Sequence, residues 1–332
     1  MIYTRRQFGR LAVAGISAAT ALGRAERMFG EGKPDSRING VQIGVITPYS
    51  YHNMPNDAES LLKFMVKDGL SATEIQCPPV EEWAGAPKAP PRPPAPPAPA
   101  AGRPAEPRAP RPISPEQKAY NEALTKWRLS APLSKFEEFR RMYNSAGVSI
   151  YGFKLQLTMD SPDAEFDYTF KVVKALGANQ LTMEMPDGHP ELTARLGKYG
   201  EKYKVMIGYH AHLQATPTTW DEAMAQSAYN GINLDIGHYT AAGNHDALEF
   251  IRKNHARITS MHLKDRKFKE NGGQNMPWGQ GDTPIKEALQ LMKKEKYAFP
   301  ATIELEYAPP EGSDSEKEIV KCLAYAKAAL AS

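Results

Sequence analysis

Residues 232–265 decide how this chain is read. They open with Ile232-Asn233-Leu234-Asp235-Ile236-Gly237-His238 and close with Ile258-Thr259-Ser260-Met261-His262-Leu263-Lys264-Asp265. Each end is a short apolar run that finishes in ionisable residues, and the segment between them, 246–255, has the apolar spacing of a helix. This is a strand–helix–strand unit with its chemistry at the C-terminal ends of the strands. The unit recurs in both directions. Upstream, strand-like runs are read at Val41–Thr47, Leu70–Gln76, Val148–Leu155, Asn179–Met185 and Val205–Tyr209; downstream lies Ala301–Glu306. With Ile232–Ile236 and Ile258–Leu263 they make eight. Asp57 caps a helix that carries Leu61, Leu62, Met65 and Val66 on one face and closes at Gly69. Further helical stretches fall at 116–146 (broken near Pro132), 163–176, 190–203, 217–228, 246–255, 284–296 and 314–330. Several open with Pro or an acid in the first turn, as helix starts do. Eight such pairs over roughly 290 residues predict one α/β domain, a closed (β/α)8 barrel of the TIM type across 38–332. An open doubly wound sheet would want a Gly-rich phosphate turn after its first strand, and Gly44-Val45-Ile46-Thr47 is not one.

Two segments break the pattern. Residues 86–115 hold 13 of the 28 prolines, with Ala, Arg and a single Glu. That composition cannot bury enough apolar surface to fold, so it predicts an extended, solvated insertion after strand two. At the N-terminus, Thr4-Arg5-Arg6-Gln7-Phe8-Gly9-Arg10 precedes a mild apolar run from Leu11 to Leu22. The paired arginines, the Phe and the short apolar run resemble a twin-arginine signal covering 1–25, and the run is too short to span a bilayer. The resemblance implies the Tat export machinery as a partner and a periplasmic or otherwise exported destination. The chain carries 41 Lys and Arg against 38 Asp and Glu, and three of those bases are Arg5, Arg6 and Arg10. The rest is near neutral, with no electrostatic footprint for nucleic acid or a membrane surface and no later segment fit for membrane insertion. The two cysteines, Cys77 and Cys322, are too few and too far apart for a disulfide framework or a CxxC metal site.

Ionisable residues gather at consecutive strand ends. Strand four runs Leu181-Thr182-Met183-Glu184-Met185-Pro186, and strand five runs into Tyr209-His210-Ala211-His212. Strand six gives Asp235-Ile236-Gly237-His238, strand seven Met261-His262-Leu263-Lys264-Asp265, and strand eight Ile303-Glu304-Leu305-Glu306-Tyr307. In a closed barrel these ends converge on one mouth, within reach of a single ion. Carboxylates and imidazoles together suit one divalent Mn, Mg, Co or Zn ion.

The order Glu, Asp-x-x-His, His-x-Lys-Asp, Glu-Tyr across strands four to eight resembles the xylose-isomerase-like barrels, a superfamily of sugar phosphate isomerases and epimerases that also holds dehydratases and an apurinic-site endonuclease. The resemblance covers most of 40–330. It implies a metal held by Glu184, Asp235, His262 and Glu306. Glu304 and Glu306 are two apart and share a strand face; Glu306 is taken as the ligand because it lies nearer the mouth and precedes Tyr307, with Glu304 behind it. His238 resembles the family's substrate-binding histidine. His210 and His212 resemble a His-Asn-His of many relatives, here with Ala211 in the middle. His210, Lys264 and Trp278 are further substrate-binding candidates, and His52 a rim candidate. The activity implied is a carbohydrate isomerase or epimerase that takes an α-proton from a ketose-like substrate through an enediolate, with Glu184 and Glu306 as proton carriers. The same site could instead eliminate a β-leaving group from a keto-sugar or keto-glycoside, as a lyase or dehydratase. An apurinic-site endonuclease would need more metal ligands and a basic groove. A non-catalytic sugar-binding barrel would show a lost ligand, and none looks lost.

Overall fold

The computed structural model describes residues 32–90 and 114–332. The twin-arginine segment and most of the Pro-rich stretch lie outside them. Eight parallel strands form the barrel: β1 (Val41–Thr47), β2 (Ala72–Gln76), β3 (Ser149–Lys154), β4 (Gln180–Glu184), β5 (Met206–His210), β6 (Asn230–Asp235), β7 (Ile258–Leu263) and β8 (Ala301–Ile303). Each pairs with its sequence neighbours, β8 pairs with β1, and the ring closes. A two-residue strand, Arg37–Ile38, turns back on the start of β1.

The first helix shows why these segments fold where they do. Asp57 accepts the backbone N–H of Ser60, so α1 (Ala58–Asp68) starts there. Leu61, Leu62 and Met65 face inward, and Gly69 ends the helix with φ of 80°, a backbone conformation that glycine adopts without strain. The outer ring continues with α2 (Cys77–Trp83), α3 (Pro115–Arg128), α4 (Leu133–Ser145), α5 (Asp163–Leu176), α6 (Pro190–Tyr203), α7 (Asp221–Gln226), α8 (Ile236–Ala241), α9 (Ala247–Asn254), α10 (Ile285–Glu295) and α11 (Ser315–Ala331). Among the described residues, no helix is long and apolar enough to cross a membrane.

Three details depart from the expected pattern. The short α2 stands between β2 and the Pro-rich stretch, because Pro78 and Pro79 fill a first helical turn, where their missing N–H groups cost nothing. The short α8 follows β6 at once. And β8 ends at Ile303, three residues before the expected Glu306.

The barrel interior is polar below the mouth. Gly44 of β1 leaves the space that the Tyr151 ring fills, and Tyr151 reaches across to Thr302 of β8, oxygen to oxygen 2.7 Å. Gln180 donates to Ser260 at 2.7 Å, and Asn233 donates to Ser260 at 2.7 Å and to Glu74 at 3.1 Å. This layer is the floor of the site.

Candidate active site

Strands β5 to β8 supply the ionisable groups above that floor. His210 and Asp235 are the last residues of β5 and β6, and His262 is the fifth residue of β7. Parallel pairing sets Asp235 beside His262, and His262 beside Thr302. Glu304 follows β8 directly, and its N–H still bonds to Leu263 O. Ligand-type atoms of His210, Asp235, His262 and Glu304 all lie within 4.8 Å of one another, and all four residues are buried.

The neighbours of this group fix which atoms face inward. His210 Nδ1 lies 2.7 Å from Asn233 Oδ1; the amide oxygen can only accept, so this nitrogen carries the proton and Nε2 keeps its lone pair. His262 Nε2 lies 3.2 Å from Glu74 Oε2 and Nδ1 lies 2.9 Å from Glu304 Oε2. With a carboxylate on each side both nitrogens hold a proton; loss of the one toward Glu304 would free Nδ1 as a donor atom. Asp235 Oδ1 accepts the N–H of His238 at 2.7 Å and so caps α8. Its other oxygen is buried and takes part in no hydrogen bond, although Lys264 Nζ stands 3.0 Å away as an ion pair. A buried carboxylate oxygen without a hydrogen bond, the His210 lone pair, a second carboxylate and a second imidazole that becomes a donor on losing one proton make a set that fits a divalent ion. A buried His/Asp/Glu group that could hold a metal is therefore present.

The charges are strongly displaced. Burial, with Lys154 adding to it, holds His210 well below the ordinary imidazole range. Burial, with Lys264 adding to it, pushes His238 down to about 2. Burial opposes charge on His262, but Glu74 and Glu304 on its two nitrogens outweigh it and raise it to about 10. Burial lifts Asp235 to about 7 against the pull of Lys264. The same burial acts on Glu304, yet Lys264 and His262 hold it well below the carboxylate range. Displacements of both signs in one cleft are the mark of a functional site more often than of a structural one.

Of the four residues expected to bind metal, Asp235 and His262 come together; Glu184 and Glu306 stand outside the group. Glu184 is at the rim, paired with Lys154 at 2.7 Å and 3.4 Å from His212 Nε2. Glu306 accepts from Tyr49 at 2.7 Å and from Lys264 at 2.7 Å. For Glu306 the reason is depth: His262 is level with Thr302, so the first carboxylate beyond it on that side is the inner one, Glu304, and Glu306 lies two residues nearer the mouth. Glu184 is level with His210 of β5, but its carboxylate is turned to Lys154. His238 lines the mouth, with Nε2 2.9 Å from Lys264 Nζ and Nδ1 2.7 Å from Arg266 Nη1. His212 is exposed, and with His210 and His238 forms a second group of ligand-type atoms within 4.8 Å. His52 bonds to Leu305 O at 2.6 Å. Trp278 packs edge-on against Tyr325 of α11, centroids 5.8 Å apart, on the outer ring of helices. Glu74, Asn233, Tyr49 and Arg266 are site residues that the sequence did not announce. Only Glu74, an acid inside the run Ala72–Gln76, left a signal.

A family model described as xylose isomerase-like TIM barrel matches residues 124–327. No curated protein matches the sequence. Several solved structures share the fold. An L-ribulose 3-epimerase is 11% identical with a TM-score of 0.56, over 88% of this chain and 95% of that one. A xylose isomerase domain protein from Planctomyces limnophilus is 13% identical with a TM-score of 0.55, over 87% and 96%. The probable 3-DHS dehydratase AsbF of Bacillus anthracis, involved in petrobactin synthesis, is 12% identical with a TM-score of 0.55, over 85% and 98%.

Proposed function

The chain belongs to the xylose isomerase-like TIM barrel family, and from that premise we propose that it is a divalent-metal-dependent isomerase or epimerase of ketose-like carbohydrates. The observation that carries the proposal is the buried group of His210, Asp235, His262 and Glu304, with one Asp235 oxygen left without a hydrogen bond. These four residues, and not Glu184 and Glu306, are the proposed ligands. A divalent ion held there supplies Lewis-acid polarisation of a substrate carbonyl, which acidifies the C–H beside it.

The proton then falls to Glu184 and Glu306. A carboxylate that ligates an ion loses basicity, so two carboxylates outside the ligand group are better suited to move protons. Glu184 ends β4 and Glu306 lies three residues beyond β8; the two strands are four apart in a ring of eight, and so on opposite sides of the mouth. A sugar held between them presents one face to each. Glu306 is kept as an anion, because Lys264 outweighs the effect of burial on it. His238 is held neutral beside Arg266 and Lys264, and is placed to bind a sugar hydroxyl.

Elimination is a second reading, favoured by Tyr49. Its hydroxyl donates to Glu306 at 2.7 Å and could protonate a departing oxygen. One experiment separates the two. Protein loaded with Mn²⁺ is incubated with a keto-sugar panel in D₂O and followed by NMR. We expect deuterium beside the carbonyl and a rearranged or epimerised sugar, with Glu184→Gln and Glu306→Gln slower by roughly 10²–10⁴-fold at saturating Mn²⁺. An unsaturated product would assign elimination; absence of exchange across the panel would sink both readings.

A further inference from the structure

The side chain of Lys264 ends inside the ligand group, 2% exposed. Its ammonium stands 3.0 Å from Asp235 Oδ2, 3.2 Å from Glu304 Oε2 and 2.7 Å from Glu306 Oε2. Two of these carboxylates are proposed ligands; the third is not. A divalent ion takes oxygen ligands at about 2.0–2.6 Å, so an ion on Asp235 and Glu304 would sit nearly in contact with the ammonium. Two positive charges that close, in a site shielded from water, repel strongly. The lysine and the ion want the same oxygens.

Two features show where the lysine can and cannot go. Toward α8 there is no room: a Cβ on Gly237 would collide with Lys264 Cγ and with its carbonyl oxygen. At His238 the contact is imperfect. A neutral imidazole has one N–H and one lone pair, yet its two nitrogens face Lys264 Nζ at 2.9 Å and Arg266 Nη1 at 2.7 Å, both donors only. One of these contacts sets a donor against a donor. Glu306 has neither problem, and it makes the shortest of the three ion pairs with the ammonium.

We propose that Lys264 is a built-in competitor for the ion. Its ammonium neutralises Asp235 and Glu304 when no ion is bound, and an ion displaces it onto Glu306. The inference rests on the reading that this group holds a divalent ion. It makes Lys264 a positioning residue that limits ion affinity and ends up beside the carboxylate that moves protons.

The test is calorimetric titration of Mn²⁺ into chelator-stripped wild type, Lys264→Met and Lys264→Gln, with circular dichroism to check folding. Lys264→Gln keeps a hydrogen-bond donor beside the carboxylates, so it decides the matter where the Met variant fails to fold. Both variants should bind Mn²⁺ tighter than wild type by about 10- to 100-fold, the range by which groups around metal ligands change affinity. Binding by the variants alone is the same competition at greater strength. Equal or weaker binding in the variants, with wild-type binding intact, overturns the competition and leaves the ion site standing. No binding in any of the three chains overturns both.

Discussion

At Arg128, on α3, the guanidinium donates through Nε and Nη2 to both oxygens of Glu81, at 2.8 and 2.9 Å, and through Nη1 to Glu165 at 2.6 Å. Tyr168 adds its hydroxyl to Glu81 at 2.9 Å. Around Lys264, at the mouth, three carboxylates crowd one ammonium, an Asp235 oxygen and a Glu74 oxygen go without hydrogen bonds, and a histidine faces two cations. Both clusters bury charge. The first is complete, with planar fork on planar carboxylate, and fastens α3, a helix with no fully buried residue, to α2 and α5. The second is incomplete in a direction: it holds more negative oxygen than the chain can satisfy. A finished network holds structure together, and an unfinished one leaves buried polar oxygen available to a group from outside the chain.

The largest effect that would sharpen this contrast is at Asp235. Asp235→Asn keeps an oxygen to cap α8 and removes one crowded charge. We expect bound metal, measured by elemental analysis, to fall close to zero. Turnover should drop by roughly 10³-fold, since Lewis-acid stabilisation is worth several kcal/mol. The melting temperature of the metal-free protein should not fall. A variant that keeps its metal, or melts much earlier, would put the mouth in the same class as the Arg128 cluster. The mirror-image test is Arg128→Met. Removing one partner leaves Glu81 and Glu165 buried and unpaired, which should cost about 3–5 kcal/mol in urea unfolding, with metal content unchanged. A loss within experimental error would show that the cluster only decorates the surface.

The smallest effect comes from an intermediate case. Asp68 is half-buried, accepts from Tyr51 at 2.8 Å and lies beside Glu316. Burial raises it to about 7, more than Tyr51 lowers it. Its folded value thus lies above its ordinary one of 3.8. The folded state holds this proton more tightly, so the stability it contributes is full below the ordinary value and is lost as pH climbs toward 7. Asp68→Asn should remove that slope: no gain in melting temperature at pH 4, a small gain at pH 8. A gain that does not change with pH would contradict the burial argument.

Much of this could be read from the chain, where local chemistry is decisive. The bounds of β1 and β7 are those of the apolar runs Val41–Thr47 and Ile258–Leu263, and α5 and α6 begin and end where the pattern places them. The short helices α2 and α8 were hidden for opposite reasons. Pro78 and Pro79 start a helix in a short stretch between a strand-like run and the Pro-rich segment, where none was expected, and Asp235 read as a ligand although it is also a cap. The choice between Glu304 and Glu306 needed depth, which period-two alternation does not contain: both point toward Lys264, and only the pairing of β7 with β8, which sets His262 beside Thr302, shows Glu304 to be the nearer. Depth does not separate His210 from Glu184, which are level across β4 and β5; what sets Glu184 apart is its ion pair with Lys154 at the rim. Glu74 contributes from the far side of the barrel, 188 residues from His262, and nothing local reveals such a partner.

One placement described above has a use for protein engineering. His210, Asp235 and His262 belong to strands, and Glu304 is held by a ladder hydrogen bond to Leu263 O. The geometry of this buried group is therefore carried by the barrel, while the connections at 211–220 and 267–284 surround it without supplying any of its four residues. Those connections can be exchanged for others, of different length and lining, while the four buried side chains keep their places. The barrel is a chassis, and the lining of its mouth a replaceable fitting on it.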